Sequence, residues 1–121
     1  VTKIHRYAAI PFHVPPVDPA DLDLDTPARP DQPGRKFLAQ GEGGFYSQAV
    51  RIPPHFDGPV HAHDHAEVFL VLEGSCTFNG EALVPFDSTV VEANEPYGFS
   101  TGDEGVTFLV VRQAKARFLD V

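Results

Sequence analysis

From about residue 37 the hydrophobic and polar positions of this chain fall into short runs closed by turn residues, a pattern of strand, turn, strand. Gly44-Phe45-Tyr46-Ser47-Gln48-Ala49-Val50-Arg51-Ile52 reads as a strand closed by Pro53-Pro54. Glu67-Val68-Phe69-Leu70-Val71-Leu72 is a short apolar run ended by Glu73-Gly74. Its brevity and β-branched content predict a strand buried on both faces. Thr77-Phe78 and Glu81-Ala82-Leu83-Val84 flank Asn79-Gly80, which supplies the positive φ angles of a two-residue type I′ hairpin. Further strands are expected at 88–91, 97–100 and 106–114, the last two joined by Gly102-Asp103-Glu104-Gly105. Short strands at this spacing predict an all-β sandwich or barrel occupying residues 37–121.

Residues 1–36 break that pattern. Seven of the twelve prolines lie there, interleaved with Asp18, Asp21, Asp23, Asp25 and Asp31. Proline fixes φ and removes a donor, which excludes a regular helix or a central strand. The segment reads as an extended, proline-rich N-terminal arm, and Ile4, Tyr7, Ile10, Phe12 and Val14 give its first part something to pack with.

At 121 residues the chain fits one core, and ten phenylalanines help to fill it. A formal net charge of −8, with no Lys/Arg cluster, argues against nucleic-acid binding. The lone cysteine, Cys76, excludes an intrachain disulfide and reads as a small core residue. No stretch reads as a signal peptide and no apolar run approaches the ~20 residues of a membrane span, so a cytoplasmic protein without a membrane partner is expected.

The chemistry concentrates in His61-Ala62-His63-Asp64-His65-Ala66-Glu67, which holds three of the six histidines. Along a strand, side chains at i and i+2 share a face, so His61 and His63 aim two imidazoles at one point. Glu67 keeps the same parity and opens the next strand. Imidazole and carboxylate together suit one divalent transition metal ion: Fe(II) is favoured, with Zn, Mn, Ni, Co and Cu also compatible. His65 shares the parity, and the pattern alone leaves it open as a replacement ligand.

These residues resemble the first motif of the cupin superfamily, His-x-His, three or four residues, Glu, six residues, Gly. Here the motif is met by His61, His63, Glu67 and Gly74, with similar flanking sequence, over roughly residues 44–114. The resemblance implies a jelly-roll β-barrel with His61, His63 and Glu67 as metal ligands and His65 in a turn. Two departures stand out. The glycine usually found upstream of the first His is displaced to Gly58. When Pro85-Phe86-Asp87 is matched to the family's usual Pro-Gly-Asp, the fourth ligand, a His in the second motif, falls on Tyr97. A phenol titrates near ~10, so ligation requires the metal to lower that value. Tyr97 therefore stands as a catalytic acid or base, a ligand, or a wall of the pocket.

Phe69, Phe78 and Phe99 are the expected apolar walls of a substrate pocket, and His55 is a candidate at its mouth. Arg51 is a weaker candidate for holding an anion, and Glu92 and Asn94 are expected at the rim. His5 and His13 read as structural. Val68, Leu70 and Leu72 face away from the ligands and need a cover, from the arm or from a second subunit in a homodimer. The expected function is a metal-dependent enzyme acting on a small organic molecule, with dioxygenase-like chemistry leading. Isomerase or lyase chemistry fits the same residues, and a small-ligand-binding or sensing protein without turnover is the alternative from another class.

Overall fold

A computed structural model of the chain describes residues 2–14, 26–113 and 118–119. The arm's Pro15, Pro16, Pro19, Asp18, Asp21, Asp23 and Asp25, and Ala114 of the last expected strand, lie outside the described residues.

Among the described residues, ten strands form three antiparallel sheets. They are β1 (Gly34–Gln40), β2 (Tyr46–Ile52), β3 (Ala62–His63), β4 (Glu67–Gly74), β5 (Cys76–Phe78), β6 (Glu81–Leu83), β7 (Ser88–Val91), β8 (Phe99–Ser100), β9 (Val106–Arg112) and β10 (Phe118–Leu119). The largest sheet runs β1-β2-β9-β4-β7, a second runs β6-β5-β8, and β3 pairs with β10. Sheets facing each other around a common apolar interior make the jelly-roll barrel. Among the described residues, no helix is long and apolar enough to cross a membrane.

Register explains what faces inward. Directly opposed residues of neighbouring strands share a face, and pairing builds rows across the large sheet. One row is Tyr46, Arg112, Glu67, Val91; the next is Phe37, Gln48, Val110, Phe69; a third is Arg35, Val50, Phe108, Val71. The buried members of these rows meet Cys76, Phe78 and Tyr97 from the other side. Each buried large apolar side chain contributes about 1.5–3 kcal/mol. Cys76 is in this core, and burial pushes its thiol up to about 11, as suits a packing residue.

The expected strands are present within two residues of their expected ends, and the one expected from Tyr97 is Phe99–Ser100, with Tyr97 itself in an isolated bridge to His61. Asn79 (φ 46) and Gly80 (φ 83) form the hairpin turn. β1 begins at Gly34, inside the segment expected to be arm, and lies on the edge of its sheet, where a neighbouring proline is tolerated. The arm itself packs against β1. His13 bridges Arg35 through paired backbone bonds of 2.8 Å, and the buried Lys36 ammonium sits 3.7 Å from the centre of the Tyr7 ring while donating to the Tyr7 carbonyl. On the outer face of β4, Val68 is 41% exposed and Leu70 and Leu72 are half-buried.

Gly74 carries a prediction. Its φ is +73, and a Cβ there would collide with the carbonyl of Gly105, which accepts the Ser75 N–H at 3.0 Å. Gly80 has a similar φ of +83 but open space around it. Gly80→Ala is expected to lose only the left-handed penalty of about 1–2 kcal/mol, and Gly74→Ala clearly more, as read from urea midpoints. Equal losses would remove the collision from the account.

Candidate metal centre

Tyr97 and His61 face each other across an isolated bridge. The His61 N–H donates to the Tyr97 carbonyl at 3.0 Å, and the Tyr97 N–H donates to the His61 carbonyl at 2.8 Å. His63 follows on β3, and the same-face relation of His61 and His63 holds. Nε2 of His61 lies 2.9 Å from the Tyr97 hydroxyl and Nε2 of His63 lies 3.0 Å from it. The Tyr97 ring is fixed by Phe78, stacked at 5.3 Å and 7°, and by Phe69 at 5.4 Å.

Glu67 opens β4 and is 3% exposed. Its Oε1 lies 3.0 Å from His63 Nε2 and 3.4 Å from His65 Nε2, and its Oε2 lies 3.3 Å from Arg112 Nη1. Ligand atoms of His63, His65 and Glu67 fall within 4.8 Å of one another. This group differs from the expected His61, His63, Glu67 by one member. The chain bends at Asp64-His65 between β3 and β4, which brings His65 into the cluster. His61 reaches the group through the Tyr97 hydroxyl.

The donor set fits a cation. His65 Nδ1 lies 2.9 Å from the Asp64 carboxylate, which can only accept, so Nδ1 carries a proton, and in the neutral ring the Nε2 lone pair faces Glu67. His61 Nδ1 similarly lies 3.0 Å from the Pro59 carbonyl, leaving its Nε2 as an acceptor. Among the described residues, His65 Nε2 and Glu67 Oε1 are buried without a hydrogen-bond partner. With that ring neutral the two buried acceptors face and repel each other, and a positive ion between them removes the conflict. His63, His65 and Glu67 would hold the ion, with His61 at the margin.

A cavity of about 290 Å³ opens beside this cluster. His61, His63, Glu67 and Tyr97 line it, with Phe69 and Phe99 as apolar walls. Phe78 does not line it and instead backs the Tyr97 ring. His55 is also away from the cavity, on the surface, with Nε2 3.1 Å from Asp103. Glu92 and Asn94 are exposed. Arg51 points outward, stacks 4.2 Å from the centre of the Phe12 ring, and donates to the carbonyls of Ala28 and Arg29. The arginines that do line the cavity are Arg35 and Arg112, joined by Gln48. Strand parity placed Gln48 with Val50 and Ile52, and Arg112 with Phe108 and Val110, and that parity was the available signal for both.

Burial shifts these groups. Desolvation and then the Glu67 charge raise the Tyr97 phenol, which keeps its proton in neutral solution. Desolvation lowers both arginines, and the Arg112 charge lowers Arg35 further. Arginine starts so high that both remain cations.

Residues 48–112 match a family model described as a cupin domain, more than half of the chain. The chain belongs to the cupin family. Solved structures agree on the fold. The polyketide cyclase RemF from Streptomyces resistomycificus superposes with a TM-score of 0.76 at 20% identity, covering 100% of this chain and 86% of that one. An RmlC-like cupin from Shewanella frigidimarina gives 0.69 at 18% identity, covering 95% and 94%. The DMSP lyase DddQ from Ruegeria pomeroyi gives 0.63 at 22% identity, covering 69% of this cupin and 48% of the lyase. No curated protein matches this cupin in sequence.

Proposed function

We propose that this cupin is a metal-dependent enzyme that moves a proton on a small organic molecule, in an isomerase-, cyclase- or lyase-like reaction. The observation that carries the reading is the Tyr97 hydroxyl, held at 2.9 and 3.0 Å between two imidazoles where the cavity meets the cluster. A divalent ion bound there supplies Lewis acidity toward a substrate oxygen. The chain's own part is to hold the substrate against Phe69 and Phe99, to keep water out, and to present the Tyr97 hydroxyl as proton donor. The cyclase and the lyase among the fold relatives are consistent with this and identify no substrate.

Dioxygenase chemistry is the second reading, favoured by the imidazole–carboxylate donor set, which suits Fe(II) with open positions. A homodimer is proposed as the working form, supported by Val68 at 41% and Val90 at 61% exposure on the outer face of β4 and β7. The buried thiol Cys76, with no disulfide to make, suits a reducing cytoplasm.

Elemental analysis of protein purified without added metal should find a near-stoichiometric divalent ion. Enolisable carbonyl compounds in deuterated water should then gain deuterium at carbon without consuming dioxygen. Iron with dioxygen uptake on phenols or diketones would move the assignment to the second reading. No metal, even after reconstitution, would reject both and leave a ligand-binding cupin.

A further inference from the structure

We propose that Arg35, Gln48 and Arg112 form a carboxylate-recognition site in the cavity wall, so that the molecule held against the metal centre is a small carboxylate with an apolar body. This deepens the reading of the cavity as a small-molecule site, on which it rests, and names the chemistry of the occupant.

Charge is the first support. Two guanidinium groups line the same cavity as the single carboxylate of Glu67. Arg112 approaches that carboxylate at 3.3 Å, whereas Arg35 has no ion-pair partner among the described residues. A metal ion beside Glu67 enlarges the positive surplus. The chain as a whole carries −8, so the surplus is local to this wall. Arg35 is half-buried with its Nε out of reach of water. A partly desolvated cation lacking a counter-ion is unfavourable, and an anion entering the cavity corrects the imbalance.

Unsatisfied groups are the second support. Nε of Arg35 and Nε of Arg112 are buried donors without a hydrogen-bond partner. Oε1 of Gln48, a residue 3% exposed, is unpartnered too, and because that oxygen only accepts, Gln48 meets a carboxylate through its amide N–H₂. Native interiors leave few such groups, and a cluster of them on one cavity wall marks a place for a ligand. Guanidinium donors in a planar fork match the two oxygens of a carboxylate. The rest of the cavity is unlike this wall. Phe56, Phe69, Phe99 and Phe108 line it, which calls for an apolar body on the ligand.

Register places the three residues together. They come from β1, β2 and β9, adjacent in one sheet, in three consecutive inward-facing rows. Arg51, one residue out of phase with Val50 and Ile52, is excluded from the wall by the same alternation.

The test is titration calorimetry of the full chain with benzoate and its uncharged isostere benzamide, before and after stripping metal with a chelator. Benzoate should bind about tenfold or more tighter than benzamide in both states, the scale of a charge-assisted hydrogen bond. Arg35→Gln should erase the preference, and Gln48→Leu, which alters no charge, should weaken benzoate while the fold, checked by circular dichroism, persists. Should either variant fail to fold, the two ligands compared on metal-stripped wild type decide the matter alone. Absent benzoate binding, or equal affinity for the two ligands, overturns the proposal. So does a preference that vanishes with the metal and survives Arg35→Gln, because the carboxylate would then sit on the ion. Binding is read without turnover, so an inactive or metal-free protein would fail the functional reading and leave this one standing or falling separately.

Discussion

Glu67→Gln protein is expected to retain less than about a tenth of the wild-type metal, with affinity reduced by about 100-fold or more, since even outer-sphere changes cost 10–100-fold. The substitution keeps shape and removes charge. His65 Nε2 then faces an amide in place of a carboxylate, and the ion loses its one anionic partner among the cluster residues. Arg112 loses its counter-ion in the same step, so a lower melting temperature should accompany the metal loss. Glu73→Gln, exposed on the same strand, is the control and should change neither quantity. Elemental analysis after gel filtration reads the result. Wild-type occupancy in Glu67→Gln would mean that the ion sits elsewhere.

Tyr97→Phe separates the ion from the proton. The variant should load metal to near the wild-type level, because His63, His65 and Glu67 are untouched. Turnover of whichever enolisable substrate the wild type accepts should fall by about 10²–10⁴-fold, the usual weight of a positioned general acid. The ring stays in its stack with Phe78 and against Phe69, so the fall would come from the hydroxyl alone. Loss of metal in Tyr97→Phe would instead make the phenol oxygen a ligand. Unchanged turnover would remove Tyr97 from the chemistry and return it to the pocket wall.

Much of the site was legible in the order of residues because its determinants are local. His61 and His63 share a face because strand side chains alternate, and the structure aims both at one hydroxyl. The Asn79-Gly80 turn follows from φ preferences that two residues carry by themselves. Tyr97 was found by its place in a family motif, and the bridge to His61 accounts for why that place matters.

Other features depend on contacts between residues far apart in the chain. Strand parity left His65 open as a ligand beside His61 and His63, and the bend before β4, which parity has no way to report, decides that His65 faces Glu67. Phe78, read as a cavity wall, stands behind Tyr97, since an inward direction does not say which inward layer a side chain occupies. His55 has a suitable side chain in a suitable stretch, yet its loop leaves it at the surface beside Asp103. β1 sits in sequence next to prolines that argue against a central strand, and the fold uses it at an edge, where that objection is weakest.

Taken alone, the order of residues determined the strand-and-turn character of the domain and the pair of imidazoles with a nearby carboxylate. Both follow from conformational rules that act over two to six neighbouring positions. Tertiary structure decided which third imidazole faces Glu67 and which arginines share the cavity with it. Arg35, Gln48 and Arg112 are gathered only when β1, β2 and β9 pair in one register, and a one-residue slip of that register would turn each of them to the opposite face.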